Sequence, residues 1–241
     1  MSVRPATATV RDSVVVARAT SRLRRSFRTL FRRVPAMLSL VVVVGVVSIA
    51  IAAPAIAPRD PYEQSLDHRL TPPVWAGGTL EHPLGTDQLG RDVLSRLIFG
   101  TRISLLVGVT AAFVAGITGV AAGVAAGFYG GLVDEVLMRL ADLRLALPFV
   151  LLVIAVIAVF GPSLFNVIVV LSLTGWVLYA RVIRAEVLSM REREFVLAAR
   201  AMGATDGRLM FRHILPNTLA SAIVIASLEL ANMILDRKSV V

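Results

Sequence analysis

Three stretches of this sequence run without a formal charge for longer than a bilayer requires. They lie between Arg33 and Arg59, between Arg102 and Asp134, and between Arg144 and Arg181. A helix needs about 20 apolar residues to cross a hydrocarbon core roughly 30 Å thick. Val, Ala, Leu, Ile and Gly fill these stretches. They lack the one-sided or alternating pattern by which a water-soluble domain hides its apolar residues. With 56% hydrophobic residues and 6% aromatics, the composition belongs to the membrane class.

Charges, prolines and glycines cut the apolar mass into five predicted spans: residues 34–57, 103–128, 136–160, 164–182 and 214–235. The expected fold is therefore an all-α membrane protein, a polytopic helical bundle. Pro54 and Pro58 close the first span. Residues 1–33 are a basic N-terminal segment with Arg18, Arg22, Arg24, Arg25, Arg28, Arg32 and Arg33. The apolar run behind it is longer than the core of a signal peptide, which predicts a retained first transmembrane helix at 34–57. Residues 58–101 carry Asp60, Glu63, Asp67, Glu81, Asp87 and Asp92 among prolines and glycines. They read as an extramembrane loop with a short interfacial helix near 92–100.

Short cytoplasmic segments carry an excess of Arg and Lys. The two Arg-rich regions are 1–33 and 181–213, and four spans separate them. An even number of crossings puts both on one side, so charge and span count agree. The N-terminus is then cytoplasmic and the loop 58–101 external. The net charge of +9 is read as a topology signal and not as a nucleic-acid surface, because the basic N-terminus has few aromatics and a span comes directly after it.

Gly116, Gly119, Gly123 and Gly127 are three or four residues apart and share one helical face, which predicts a seam where a second backbone approaches closely. Glu229 lies inside the fifth span. An ionisable group in lipid is costly unless it is paired or faces a cavity, so Glu229 is a candidate pathway or interface residue. Asp134, Glu135, Arg139 and Asp142 read as the solvated start of a helix, with Glu135 and Arg139 an i,i+4 pair. Asp87 and Asp92 read as turn chemistry, not a cation site. There are no cysteines, and His68, His82 and His213 form neither an HExxH motif nor a nucleophile–base pair. No catalysis and no metal site are assigned, and the chain is expected to bind no cofactor of its own.

Residues 191–216 read as helix, turn, helix. Arg191 to Met202 are good helix formers. Gly203 fits a left-handed C-terminal position, Thr205 or Asp206 can cap the next helix, and Leu215-Pro216 marks entry into the fifth span. Ala198 and Ala199 carry little side chain and allow close docking. The spacing Ala198-Ala199, three residues, Gly203, then Leu215-Pro216 resembles the "EAA" loop of bacterial ABC-importer permeases. Leu197 stands where that motif begins with Glu, and Glu194 lies one turn earlier. The resemblance implies an ATPase-coupling loop at 184–213 involving Glu194, Leu197, Ala198, Ala199, Arg200, Gly203, Leu215 and Pro216.

His82-Pro-Leu-Gly-Thr-Asp-Gln-Leu-Gly-Arg-Asp92 through Gly108, and Gly127-Phe-Tyr-Gly-Gly131 through Asp142, resemble the second, C-type permease of dipeptide, oligopeptide and nickel importers. The likeness covers residues 34–235 and makes 102–235 the ABC-importer transmembrane domain. It implies a type I permease of six spans in the bacterial plasma membrane. The implied partners are a second permease, two cytoplasmic ATP-binding subunits and an external substrate-binding protein. Peptides are the implied cargo, with nickel or another small solute as the alternative. ATP would be used by the partner, since no Walker A sequence is present and Lys238 is the single Lys. A secondary transporter competes less well, because no inverted repeat is evident. The tail 236–241 departs from the family, which predicts a chain truncated or frame-shifted there.

Overall fold

The computed structural model describes residues 34–236; the basic N-terminal segment at 1–33 and the tail residues 237–241 lie outside the described residues. The described elements are helical. Helix α1 spans Val34–Ile56, α2 Val93–Tyr129, α3 Gly131–Ala146, α4 Phe149–Phe160, α5 Leu164–Arg191, α6 Glu194–Ala201 and α7 Leu215–Asp236. An isolated antiparallel bridge, Thr86 to Asp92, is the extended pairing found among the described residues. Four helical stretches are long and apolar enough to cross a membrane, and the α3–α4 pair makes a fifth if counted as one broken span. That matches the expected bundle.

The chain divides into two compact units within α2, after Arg102. The first holds α1 and the polar segment behind it. Helix α1 is apolar all round and exposes Val41, Val43 and Ile51 to its surroundings, as a helix bathed in lipid does. The segment after it is built from turns. Gly90 has φ +71° and passes so close to the Ser65 carbonyl oxygen that a Cβ would stand 1.7 Å from it. Asp87 ties the turn together: its carboxylate accepts the backbone N–H of Leu89 at 2.8 Å and of Arg91 at 3.0 Å, and the guanidinium groups of Arg91 and Arg96. Asp92 accepts the Ser95 N–H at 2.7 Å, capping α2, and lies 3.2 Å from Nδ1 of the buried His82. Both aspartates therefore do the structural turn work expected of them.

The second unit packs α2, α5 and α7 around one apolar core, with Val107, Ala111 and Ala115 facing Leu171, Tyr179, Ile225 and Met233. Three boundaries differ from the sequence reading. The short helix expected at 92–100 is the first turns of α2, because Asp92 caps it and nothing breaks the helix before Tyr129. Helix α5 continues past residue 182 to Arg191. Arg181 there is exposed and Arg184 and Arg191 are half-buried, while Ile183, Val187 and Met190 are buried. The third span is not continuous. Leu147 leaves the helix in an extended conformation, Pro148 starts a new one, and α3 and α4 meet at 87°. A proline disfavours helical geometry in the residue before it, which supplies the break.

Candidate coupling site

Helix α6 is short, and its ends are specified by backbone chemistry. At its C-terminus the Gly203 N–H donates to the Arg200 carbonyl at 3.0 Å, and the Ala204 N–H to the Ala199 carbonyl at 3.1 Å. This pair of bonds is a Schellman stop, which needs a left-handed residue between helix and exit. Gly203 supplies it with φ +82°, and nothing lies within 4 Å of where its Cβ would be. Backbone conformation, not space, demands glycine here. Thr205 occupies the cap position of the next helical turn, Asp206–Arg208, but its side chain makes no capping bond. That turn widens into a π-helical segment, Leu209–Ile214, which leads into α7 at Leu215 with Pro216 in the first turn. Arg200 and Asp206 face each other at 3.7 Å across the turn.

The two alanines point opposite ways. Ala199 is 6% exposed and Val196 1%; both sit in a core with Val124 and Phe128 of α2, Ile183 and Val187 of α5, and Leu209 and Ile214. Ala198 is exposed, along with Glu194, Phe195, Leu197 and Arg200. Ala199 thus locks α6 to its own chain and Ala198 is presented outward. The outward face joins apolar Phe195, Leu197, Ala198 and Met202 to charged Glu194 and Arg200. A monomer that keeps such a patch at the surface commonly uses it for contact.

Beneath α6 the glycine seam is present at Gly119, Gly123 and Gly127 but not at Gly116, whose nearest neighbour is the Tyr179 ring at 3.5 Å. A Cβ on Gly119 would meet the Trp176 carbonyl oxygen at 2.4 Å, one on Gly123 the Ala180 carbonyl oxygen at 2.6 Å, and one on Gly127 the Val187 Cβ at 2.8 Å. Helices α2 and α5 are in backbone contact along this line. Near the seam's end Arg191 Nη1 donates to the Gly127 carbonyl at 3.4 Å. Asp134 of α3 takes both a Nε and a Nη2 bond from Arg184, and Asp142 takes one from Arg181. Glu135 and Arg139 form the expected i,i+4 pair and Asp142 is exposed beside Arg181, but Asp134 is largely covered and pins α3 to α5. Two buried polar groups were missed in the sequence. Glu186 accepts the Ser221 hydroxyl at 3.0 Å between α5 and α7, and Arg144 has a buried Nε. Both stand among arginines and aspartates that read as surface. The burial of Tyr179, Ala180, Ile183 and Val187 at helical spacing is the signal that could have shown residue 186 to be in a helix. Glu229 lies half-buried on α7, its Oε2 3.5 Å from where a Gly175 Cβ would stand. Among the described residues no three His, Asp or Glu groups converge as metal ligands.

Comparison with known proteins shows which family the sequence resembles. Residues 119–236 match the model for the inner membrane component of binding-protein-dependent transport systems, and residues 21–73 that for the N-terminal transmembrane domain of oligopeptide transport permease C. A dipeptide transport system permease protein of Alkalihalophilus pseudofirmus is 38% identical over 90% of this chain and 70% of its own length. The chain belongs to the binding-protein-dependent permease family. A dipeptide transport system permease protein of Escherichia coli K12 is 48% identical over 83% of this permease and 67% of its own length. A di/tripeptide transport system permease protein of Pseudomonas aeruginosa is 44% identical over 79% of the permease and 63% of its own length. The permease chain thus spans about two thirds of the length of these relatives.

Proposed function

We propose that this chain is the C-type transmembrane subunit of an ATP-driven peptide importer. It forms half of the translocation pathway with a second permease. A cytoplasmic ATPase seats on the outward face of α6, and an external binding protein delivers the cargo. The chain itself carries out no catalysis, and ATP is spent in the partner. It lies in the bacterial cell membrane with its N-terminus and α6 on the cytoplasmic side, as the Arg-rich segments dictate.

One observation carries the reading: α6 has two working sides. Val196 and Ala199 are embedded in a core shared with α2, α5 and the π-helical entry to α7, whereas Phe195, Leu197 and Ala198 are free to meet a partner. A push on the outer face is transmitted to the membrane helices because the inner face is packed as tightly as a protein interior. The peptide class is supported by the relatives, which are named as dipeptide and di/tripeptide permeases.

The test is co-purification of the permease with its ATPase subunit from membranes. Ala198→Trp adds bulk only on the outward face; it is expected to abolish capture of the ATPase while membrane insertion stays at the parent level. Ala199→Trp is expected to lower the amount of folded permease itself. Full ATPase capture by the Ala198→Trp protein would refute the assignment.

A further inference from the structure

Two of the cavities in the second unit, about 630 and 670 Å³, are lined almost wholly by apolar atoms. A third, of about 340 Å³, is different: Arg144, Thr174, Gly175, Glu229 and Asn232 contribute to its wall. Its size falls in the range of small-molecule sites, roughly 300–1,000 Å³. Thr174 is ten residues into α5, so it lies about 15 Å along that helix, near half the thickness of a hydrocarbon core. Charged side chains at such depth are costly, and they cluster at pathways or paired sites.

Three features of this wall point to a ligand. The Nε of Arg144 is buried and makes no hydrogen bond among the described residues, a state that leaves a strong donor unmet. Arg144 and Glu229 bring opposite charges to one cavity, and the Asn232 amide adds a neutral donor and acceptor. Gly175 keeps the wall between them thin: a Cβ there would stand 2.4 Å from Met233 Cε and 3.5 Å from Glu229 Oε2. A zwitterion of two or three residues presents the complementary set, a carboxylate for the guanidinium, an ammonium for the carboxylate and a peptide group for the amide. A neutral solute or a bare cation would leave Arg144 unanswered.

We infer that this cavity is a transit site for free-ended short peptides, with Arg144 taking the terminal carboxylate and Glu229 the terminal ammonium. The inference rests on the importer reading and adds to it a recognition step inside the membrane, separate from the external binding protein. The absence of cysteine in the chain makes a direct assay available. In the full transporter reconstituted with its ATPase and binding protein, Asn232→Cys is the single thiol of this subunit. Its modification by a small thiol reagent is read by the mass of the subunit. Saturating zwitterionic dipeptide is expected to slow modification at least tenfold during turnover. Adding Arg144→Gln or Glu229→Gln is expected to remove that protection, and each to raise the KM for uptake roughly ten- to hundredfold, the scale of one lost charged hydrogen bond. Both variants are compared with the parent at equal amounts of assembled transporter.

Protection that persists in Arg144→Gln would overturn the site while leaving the importer reading in place. So would a double Arg144→Gln, Glu229→Gln protein that transports like the parent, since two groups serving only as a mutual ion pair can be neutralised together. A parent transporter without peptide uptake would remove both readings.

Discussion

At the residue scale the fold depends on atoms that are missing. Gly119 and Gly123 have no room for even a methyl group against the carbonyl oxygens of Trp176 and Ala180. Overpacking a closed interface costs about 1–3 kcal/mol, so Gly123→Ala is expected to lower the melting temperature of the detergent-solubilised protein by several degrees, and Gly123→Leu to prevent folding. Gly116→Ala should be nearly neutral, because its nearest neighbour is a ring atom of Tyr179 at 3.5 Å; an equal loss at 116 and 123 would contradict the seam. Asp87 gives a second prediction. Burial is the largest single influence and raises its pKa, but the N–H groups of Arg91 and Leu89 and the Arg91 guanidinium together outweigh it and hold it at about 2, below the usual 3.8. A carboxylate whose pKa is depressed by folding adds stability above its unfolded pKa and loses it as pH falls through the folded one. The segment 58–101 should therefore become protease-sensitive between about pH 4 and pH 2, and Asp87→Asn should be sensitive already at neutral pH.

At the element scale the sequence was readable wherever composition alone decides. Uncharged runs located the helices of the bundle, the three- and four-residue glycine spacing located the seam, and Gly203 located the end of α6. The features that stayed hidden were decided by neighbours. Counting the charges of Arg181, Arg184 and Arg191 ends the fourth predicted span at residue 182; in the fold the helix runs on and these side chains pair with Asp142, Asp134 and the Gly127 carbonyl. Pro148 was visible, yet an 87° bend cannot be told from a mild kink without knowing that α3 is fastened to α5 at Asp134 and Asp142. Burial of Glu186 and Arg144 left no periodic trace for the same reason. The stop after α6 can be probed at this scale. Gly203→Val should break the Schellman bonds and uncouple ATP hydrolysis from uptake, whereas Gly203→Asn, which tolerates positive φ, should retain most coupling. Comparing uptake per ATP hydrolysed in the two variants checks this.

For the whole molecule, topology is the testable property. The proposed orientation, with α6 in the cytosol and the segment 58–101 outside, rests on charge asymmetry. Met202 and Leu80 are both highly exposed, at 82% and 84%. In this cysteine-free chain, Met202→Cys should react with a membrane-impermeant thiol reagent only in inverted vesicles, and Leu80→Cys only in intact cells stripped of the outer barrier. Labelling of Met202→Cys from outside would sink the coupling assignment together with the transporter function built on it.

Helices whose backbones touch cannot slide or spin against each other, because every small displacement drives a carbonyl oxygen into a Cα. The contact line from Gly119 to Gly127 therefore makes α2 and α5 a single stiff lever. Under the proposed coupling, force arriving at the end beside α6 is delivered as a tilt of both helices at once, with little lost to slippage between them.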